Sequence, residues 1–174
     1  MPKAPLRLSV HCAVGAKFAP GVRRRLRAAY DLLGRTALRE LSVALVSDAA
    51  MKRLHGRYLG KGTVTDVLSF ELEHDARGRV TAGEVVVCVP QARRQAEAGS
   101  ARSRRTGEER EVLLLALHGM LHLCGFDDKT SREFTAMHRA EDRLLTLLGV
   151  GPVFHRAGRS ARRTSRRTAS ERKR

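Results

Sequence analysis

Fifteen consecutive uncharged residues, Val112 to Phe126, constrain this chain more than any other stretch, because two histidines stand inside them. Val112-Leu-Leu-Leu-Ala-Leu117 is apolar on nearly every face of a helix, which predicts a helix buried in a core. The run falls short of the ~20 residues that span a bilayer. His118 and His122 are four apart, so they project from one helix face about one turn from each other. Deeply buried imidazoles need partners, since an unpaired polar group costs roughly 1–3 kcal/mol. One metal ion would satisfy both. Gly125 offers a helix stop, because glycine alone enters the left-handed conformation without penalty. Past that stop Asp128, six residues beyond His122, is placed to bring an oxygen back. The expectation is one zinc ion on His118, His122 and Asp128 at the end of a buried helix, with the open fourth position of a catalytic site. Cys124 is a weaker candidate ligand, since Asp128 has the better reach. The plain alternative is a pair of ordinary polar side chains on a core helix.

The residue after the first histidine bears on the chemistry. In zinc proteases of the His-Glu-x-x-His type it is the glutamate that activates water. Here it is Gly119, which can move no proton. The spacing is protease-like but the base is missing, which argues against peptide hydrolysis.

The run His118-Gly-Met-Leu-His122-Leu-Cys-Gly-Phe-Asp-Asp128 resembles the signature of the YbeY family of bacterial metallo-endoribonucleases, His-Gly-x-Leu-His-Leu-x-Gly-Tyr-Asp-His. Upstream, Thr65-Asp-Val-Leu-Ser-Phe70 is similar to a second family block, and Gly83–Ala92 to the family's Gly-Asp-Ile strand and following helix. Met137, Glu141 and Leu144–Leu145 resemble its closing helix, so the likeness spans residues 6–149. It implies a single-strand-specific, zinc-dependent endoribonuclease of ribosomal RNA maturation, acting near the 3′ end of the small-subunit RNA and in ribosome quality control. The implied partners are ribosomal RNA and ribosomal subunits. Four positions depart from the family pattern. Asp128 stands for its third histidine, Phe126 for its tyrosine, Glu84 for an aspartate and Leu59 for an arginine thought to act on the RNA phosphate. Aspartate remains an acceptable zinc ligand, though its charge lowers that of the site. Arg57 and Lys61 flank the missing arginine. Two other readings stand beside the nuclease: a ribosome-assembly factor with a structural metal, which Leu59 and Asp128 keep open, and a metalloprotease, which Gly119 opposes.

A chain of 174 residues with 42% hydrophobic content suits one domain. Cys12, Cys88 and Cys124 are odd in number, lack CxxC spacing and sit in apolar stretches, which reads as reduced and cytoplasmic. No uninterrupted apolar stretch of signal-peptide type opens the chain, so no membrane association is expected. The net charge of +16 is uneven: residues 155–174 carry nine Arg/Lys against one Glu. That segment has no apolar periodicity, and we read it as a disordered Arg-rich tail that draws RNA phosphates toward a domain of residues 1–154.

The rest predicts an α+β fold, a single domain with a roughly four-stranded mixed sheet packed against several helices. Leu6–Val14 alternates as a strand, and Pro20 opens a helix with Val22, Leu26, Tyr30 and Leu33 on one face, ended by Gly34. Leu41–Val46 is a strand, and Ser47-Asp48 caps a helix through about Tyr58. Val67–Leu72 and Glu84–Val89 are strands about a turn near Arg77-Gly78, and Pro90 permits a helix over Gln91–Ala98. Arg93-Arg94 with Arg102–Arg105 form an exposed basic stretch between helices. Thr106–Glu109 and Thr130–Glu133 read as capping boxes. The apolar stripe Phe134, Met137, Leu144, Leu148 faces a core, and His138 is expected on the surface. Thr65, Asp66 and Ser69 are expected to cap and pair a central strand. No glycine loop cradles a phosphate, so no nucleotide cofactor is expected.

Overall fold

The computed structural model describes residues 4–34, 36–60, 62–98 and 104–153. They fall into two compact units, divided between Asp127 and Asp128. The expected tail, 155–174, lies outside the described residues.

The first unit is α+β, with one mixed sheet. Strands β1 (Arg7–Cys12), β2 (Glu40–Val46), β3 (Val67–His74) and β4 (Val80–Cys88) take the order β1-β2-β4-β3. β1, β2 and β4 run parallel, and β3 returns antiparallel to β4. Helix α1 (Ala19–Leu32) makes the crossover from β1 to β2, with Pro20 in its first turn and Val22, Leu26 and Tyr30 buried. The Tyr30 hydroxyl donates to the Leu38 carbonyl at 2.7 Å, tying α1 to the entry of β2. Helix α2 (Asp48–Leu59) starts at the expected cap, Ser47, whose side chain accepts from the Ala50 N–H. Helix α3 (Val89–Ala98) follows β4 directly.

Alternation along β4 sorts the sheet's two faces. Val86 and Cys88 join Val46, Met51 and Leu68 in a cluster under α2. Val85 points the other way, against helix α4 (Arg104–Leu123).

Two expectations about ends are corrected. α4 already runs at Arg104, so Thr106–Glu109 lies inside it and is no N-terminal box. Its glutamates tie neighbours instead: Glu109 pairs with Arg25 of α1, and Glu108 with Arg93 and Lys17. Second, β3 is an edge strand and not a central one, since it pairs with β4 alone among the described strands.

The second unit holds α5 (Ser131–Leu147). Its capping box forms as expected, Thr130 Oγ1 accepting from the Glu133 N–H and the Glu133 carboxylate from the Thr130 N–H. Met137, Leu144 and Leu145 are buried, but Phe134 is exposed, so the apolar stripe is shorter than expected. His138 is half-buried rather than on the surface, bonded through Nδ1 to Glu141. No described helix is long and apolar enough to cross a membrane.

Candidate metal centre

Helix α4 is buried on most of its circumference. Val112, Leu113, Leu115, Ala116, Leu117, Met120, Leu121 and Leu123 are all inaccessible or nearly so. One stripe stays partly open, through Glu111, Leu114, His118 and His122 at the i, i+3, i+4 spacing of one face. The histidines are therefore half-buried at an opening, and not sunk in the core as their sequence context implied.

Two glycines let this helix approach the sheet. A Cβ at Gly119 would stand 2.6 Å from Val85 Cγ1 and 2.8 Å from Ser69 Oγ. A Cβ at Gly83 of β4 would stand 2.6 Å from Leu123 Cδ1, beside the second histidine. Gly119 thus has a steric reason: no side chain fits there, and a general-base glutamate least of all.

The end of α4 then shapes the site. Gly125 takes φ +94° and the Gly125 N–H donates to the His122 carbonyl at 2.9 Å. The Phe126 N–H reaches back to the Leu121 carbonyl at 3.1 Å, which completes a Schellman cap. Folding back in this way brings the Phe126 carbonyl 3.1 Å from His122 Nδ1. A carbonyl can only accept, so Nδ1 is the donor here and Nε2 is the nitrogen left to face His118 or a metal. A hydrogen bond of this kind on the second ring nitrogen is what orients a histidine able to ligate a metal.

His122 Nε2 stands 3.1 Å from His118 Nε2, with the rings edge to face at 85°. Two nitrogens this close need something between them, either a proton on His118 or a cation accepting from both. Tetrahedral zinc at ~2.0–2.1 Å from each nitrogen places them about 3.3 Å apart, so the pair fits. Asp128 offers a carboxylate oxygen, and the three ligand atoms lie within 4.8 Å of one another. Cys124 does not join that group and is the Ccap residue of α4.

Sequence reasoning passed over Glu111, which lies two turns before His118 on the same stripe. Burial pushes its carboxyl up, Arg110 opposes that, and Asp66 reinforces it. The seven-residue interval from Glu111 to His118 was the available signal. Asp66 takes the capping role expected of it: Oδ1 accepts from the Val67 N–H at 2.9 Å, and Oδ2 from Gln95 Nε2 at 2.9 Å. Glu84 pairs with Phe70 on the sheet face opposite Gly119, away from the histidines. Leu59 ends α2, and Lys61 lies outside the described residues.

A family model described as endoribonuclease YbeY matches residues 14–149. The chain belongs to that family. Endoribonuclease YbeY of Moorella thermoacetica is 35% identical over 147 residues, covering 79% of this chain and 90% of its own length. The family member from Bordetella avium is 33% identical over 156 residues, covering 86% and 93%. Among solved structures, the solution structure of TM1509 from Thermotoga maritima superposes with a TM-score of 0.54 at 25% identity, covering 82% of this chain and 91% of that one. Membership covers both units' helices and the strands from β2 onward.

Proposed function

We propose that this chain is a zinc-dependent, single-strand-specific endoribonuclease that matures ribosomal RNA at the 3′ end of the small-subunit RNA and serves ribosome quality control in the cytoplasm. The observation that supports it most is the convergence of the His118 and His122 Nε2 atoms beside Asp128 in a chain of the endoribonuclease YbeY family. Two imidazoles and one carboxylate suit zinc with a position left open. Held by His118, His122 and Asp128, zinc would supply Lewis acidity toward a phosphodiester oxygen and toward a water or hydroxyl proton. The chain's own residues do the positioning. The Phe126 carbonyl holds the His122 ring, and Gly119 lets α4 rest on β3 and β4 so that the open stripe keeps its place. With no side chain at Gly119 there is no adjacent base. RNA brings its own 2′-hydroxyl as nucleophile, so this absence harms RNA cleavage less than peptide hydrolysis.

A second reading, a ribosome-assembly factor with a structural metal, is favoured by Leu59 in place of the family's arginine and by Asp128 in place of its histidine. Zinc analysis of purified protein, joined to cleavage of single-stranded RNA, separates the two. His118→Ala and His122→Ala are expected to lose zinc and cleavage, while Cys124→Ala and Asp128→His retain zinc. Full zinc occupancy in the His122 variant would sink the assigned site. Wild-type protein that binds small subunits yet leaves RNA intact moves the reading to the assembly factor.

A further inference from the structure

The C-terminal end of α2 presents an aromatic ring beside a cation. Tyr58 is 56% exposed and is the exposed aromatic side chain among the described residues of the first unit. On one side its ring meets Phe70 of β3, centroids 5.0 Å apart and planes tilted by 60°. Phe70 packs in turn on the cluster of Met51, Leu68 and Val86, so the ring is backed by core. The Arg57 guanidinium lies over the Tyr58 ring, 5.7 Å from its centroid. The supporting backbone is pinned on both sides. Gly60 caps α2 at φ +65°, and buried His55 donates Nδ1–H to the Thr63 carbonyl at 2.7 Å. Tyr58 is therefore a held ring with an open surface and not a fraying end.

The surrounding charge is of one sign. Lys52, Arg53 and Arg57 are exposed, and none forms an ion pair among the described residues. Arg93 and Arg94 of α3 differ, being engaged by Glu108 and Asp48. Arg23, Arg24 and Arg27 of α1 are also exposed, but no exposed ring accompanies them. Along β3, Phe70 follows Ser69, and successive strand residues point to opposite faces. Ser69 Oγ lies against Gly119 of the metal helix, while Phe70 carries Tyr58. The two sites thus flank one edge strand.

An open ring next to unpaired cations suits a single strand of nucleic acid. Unpaired bases can leave their stack and lie on an aromatic face, which bases inside a duplex cannot do. We propose that Arg57 and Tyr58 form a stacking subsite for one unpaired base of single-stranded RNA, with Arg53 and Lys52 meeting the flanking phosphates. The inference rests on the RNA-cleaving reading above and supplies its preference for single strands.

The test titrates the full chain with a short 2′-O-methyl oligonucleotide, which binds without offering a 2′-hydroxyl for cleavage. The chain has two tyrosines and no tryptophan, and Tyr30 is buried, so Tyr58 carries the accessible emission. Saturating RNA is expected to quench that emission. Tyr58→Phe should remove the quench while keeping affinity within about two-fold, since phenylalanine still stacks. Tyr58→Ala should weaken binding about 5- to 100-fold with the salt slope unchanged, and Arg57→Ala should lower that slope by about 0.7. Emission indifferent to saturating RNA, or a Tyr58→Ala variant that binds like wild type, overturns the subsite while leaving the nuclease reading intact. Wild-type protein that binds no RNA overturns both.

Discussion

Gly119 decides how closely α4 approaches the sheet. From sequence it is legible only as a missing base, because nothing local announces that Val85 and Ser69 will occupy the space of a Cβ. Val85 belongs to β4 and cannot retreat without disturbing the core behind it. Gly119→Ala is therefore expected to destabilise the fold by about 1–3 kcal/mol, the usual cost of overpacking. Urea unfolding measures it. Zinc affinity should fall as well, since α4 carries both histidines; a variant as stable as wild type would mean that the helix stands further off. Gly125 is the opposite case. Its role as a helix stop follows from residue type alone, and its φ of +94° agrees.

Among elements, the clearest tie invisible in the sequence joins α2, β4 and α3. Arg94 donates twice to the Asp48 carboxylate, at 2.9 and 2.7 Å, and Cys88 Sγ donates to Asp48 Oδ1 at 3.1 Å. These partners are 40 and 46 residues apart, so no window of sequence contains the clamp. Arg94, and then Cys88, hold the Asp48 carboxyl down to about 2. A carboxyl held below its unfolded value, about 3.9, stabilises the fold above that value. The stabilisation is lost as pH falls through the folded one. The pair is substantially exposed, so its contribution is small, about 0.2–1 kcal/mol. Arg94→Ala should thus lower Tm by about 1–4 °C near neutral pH. The difference from wild type should shrink as pH falls from about 4 toward 2. Melting curves across that range check it, and a difference independent of pH would assign the effect to packing. Cys88 behaves in the complementary way: burial first, then Asp48, pushes its thiol up to about 11, so it stays neutral in the clamp.

For the molecule as a whole, a net charge of +16 sets how it meets a polyanion. Removing residues 155–174, with their nine cations and one Glu, tests where that attraction resides. RNA binding is expected to weaken, and its log–log salt slope to drop by about 0.7 for each phosphate that is no longer neutralised. The candidate ligands His118, His122 and Asp128 lie outside that segment, so KM should rise with kcat largely intact. An unchanged salt slope would show that the cations of the remaining chain, those of α2 among them, carry the attraction alone.

Residue type and spacing were enough to predict the α+β class, the helix stops and caps at Ser47, Gly125 and Thr130, and the turning of His118 and His122 to one side. Each depends on backbone preference or helical period, which act within a few residues. They could not predict that β3 lies at the sheet edge, nor that Thr106–Glu109 falls inside α4, because both depend on where distant segments end up. Which polar residues share a neighbourhood emerges only when the chain has packed. Phe126 turns its carbonyl onto His122, Asp66 meets Gln95, and Tyr58 comes to rest on Phe70. The difference is one of range: propensity and periodicity act along the chain, whereas packing and hydrogen bonding act through space.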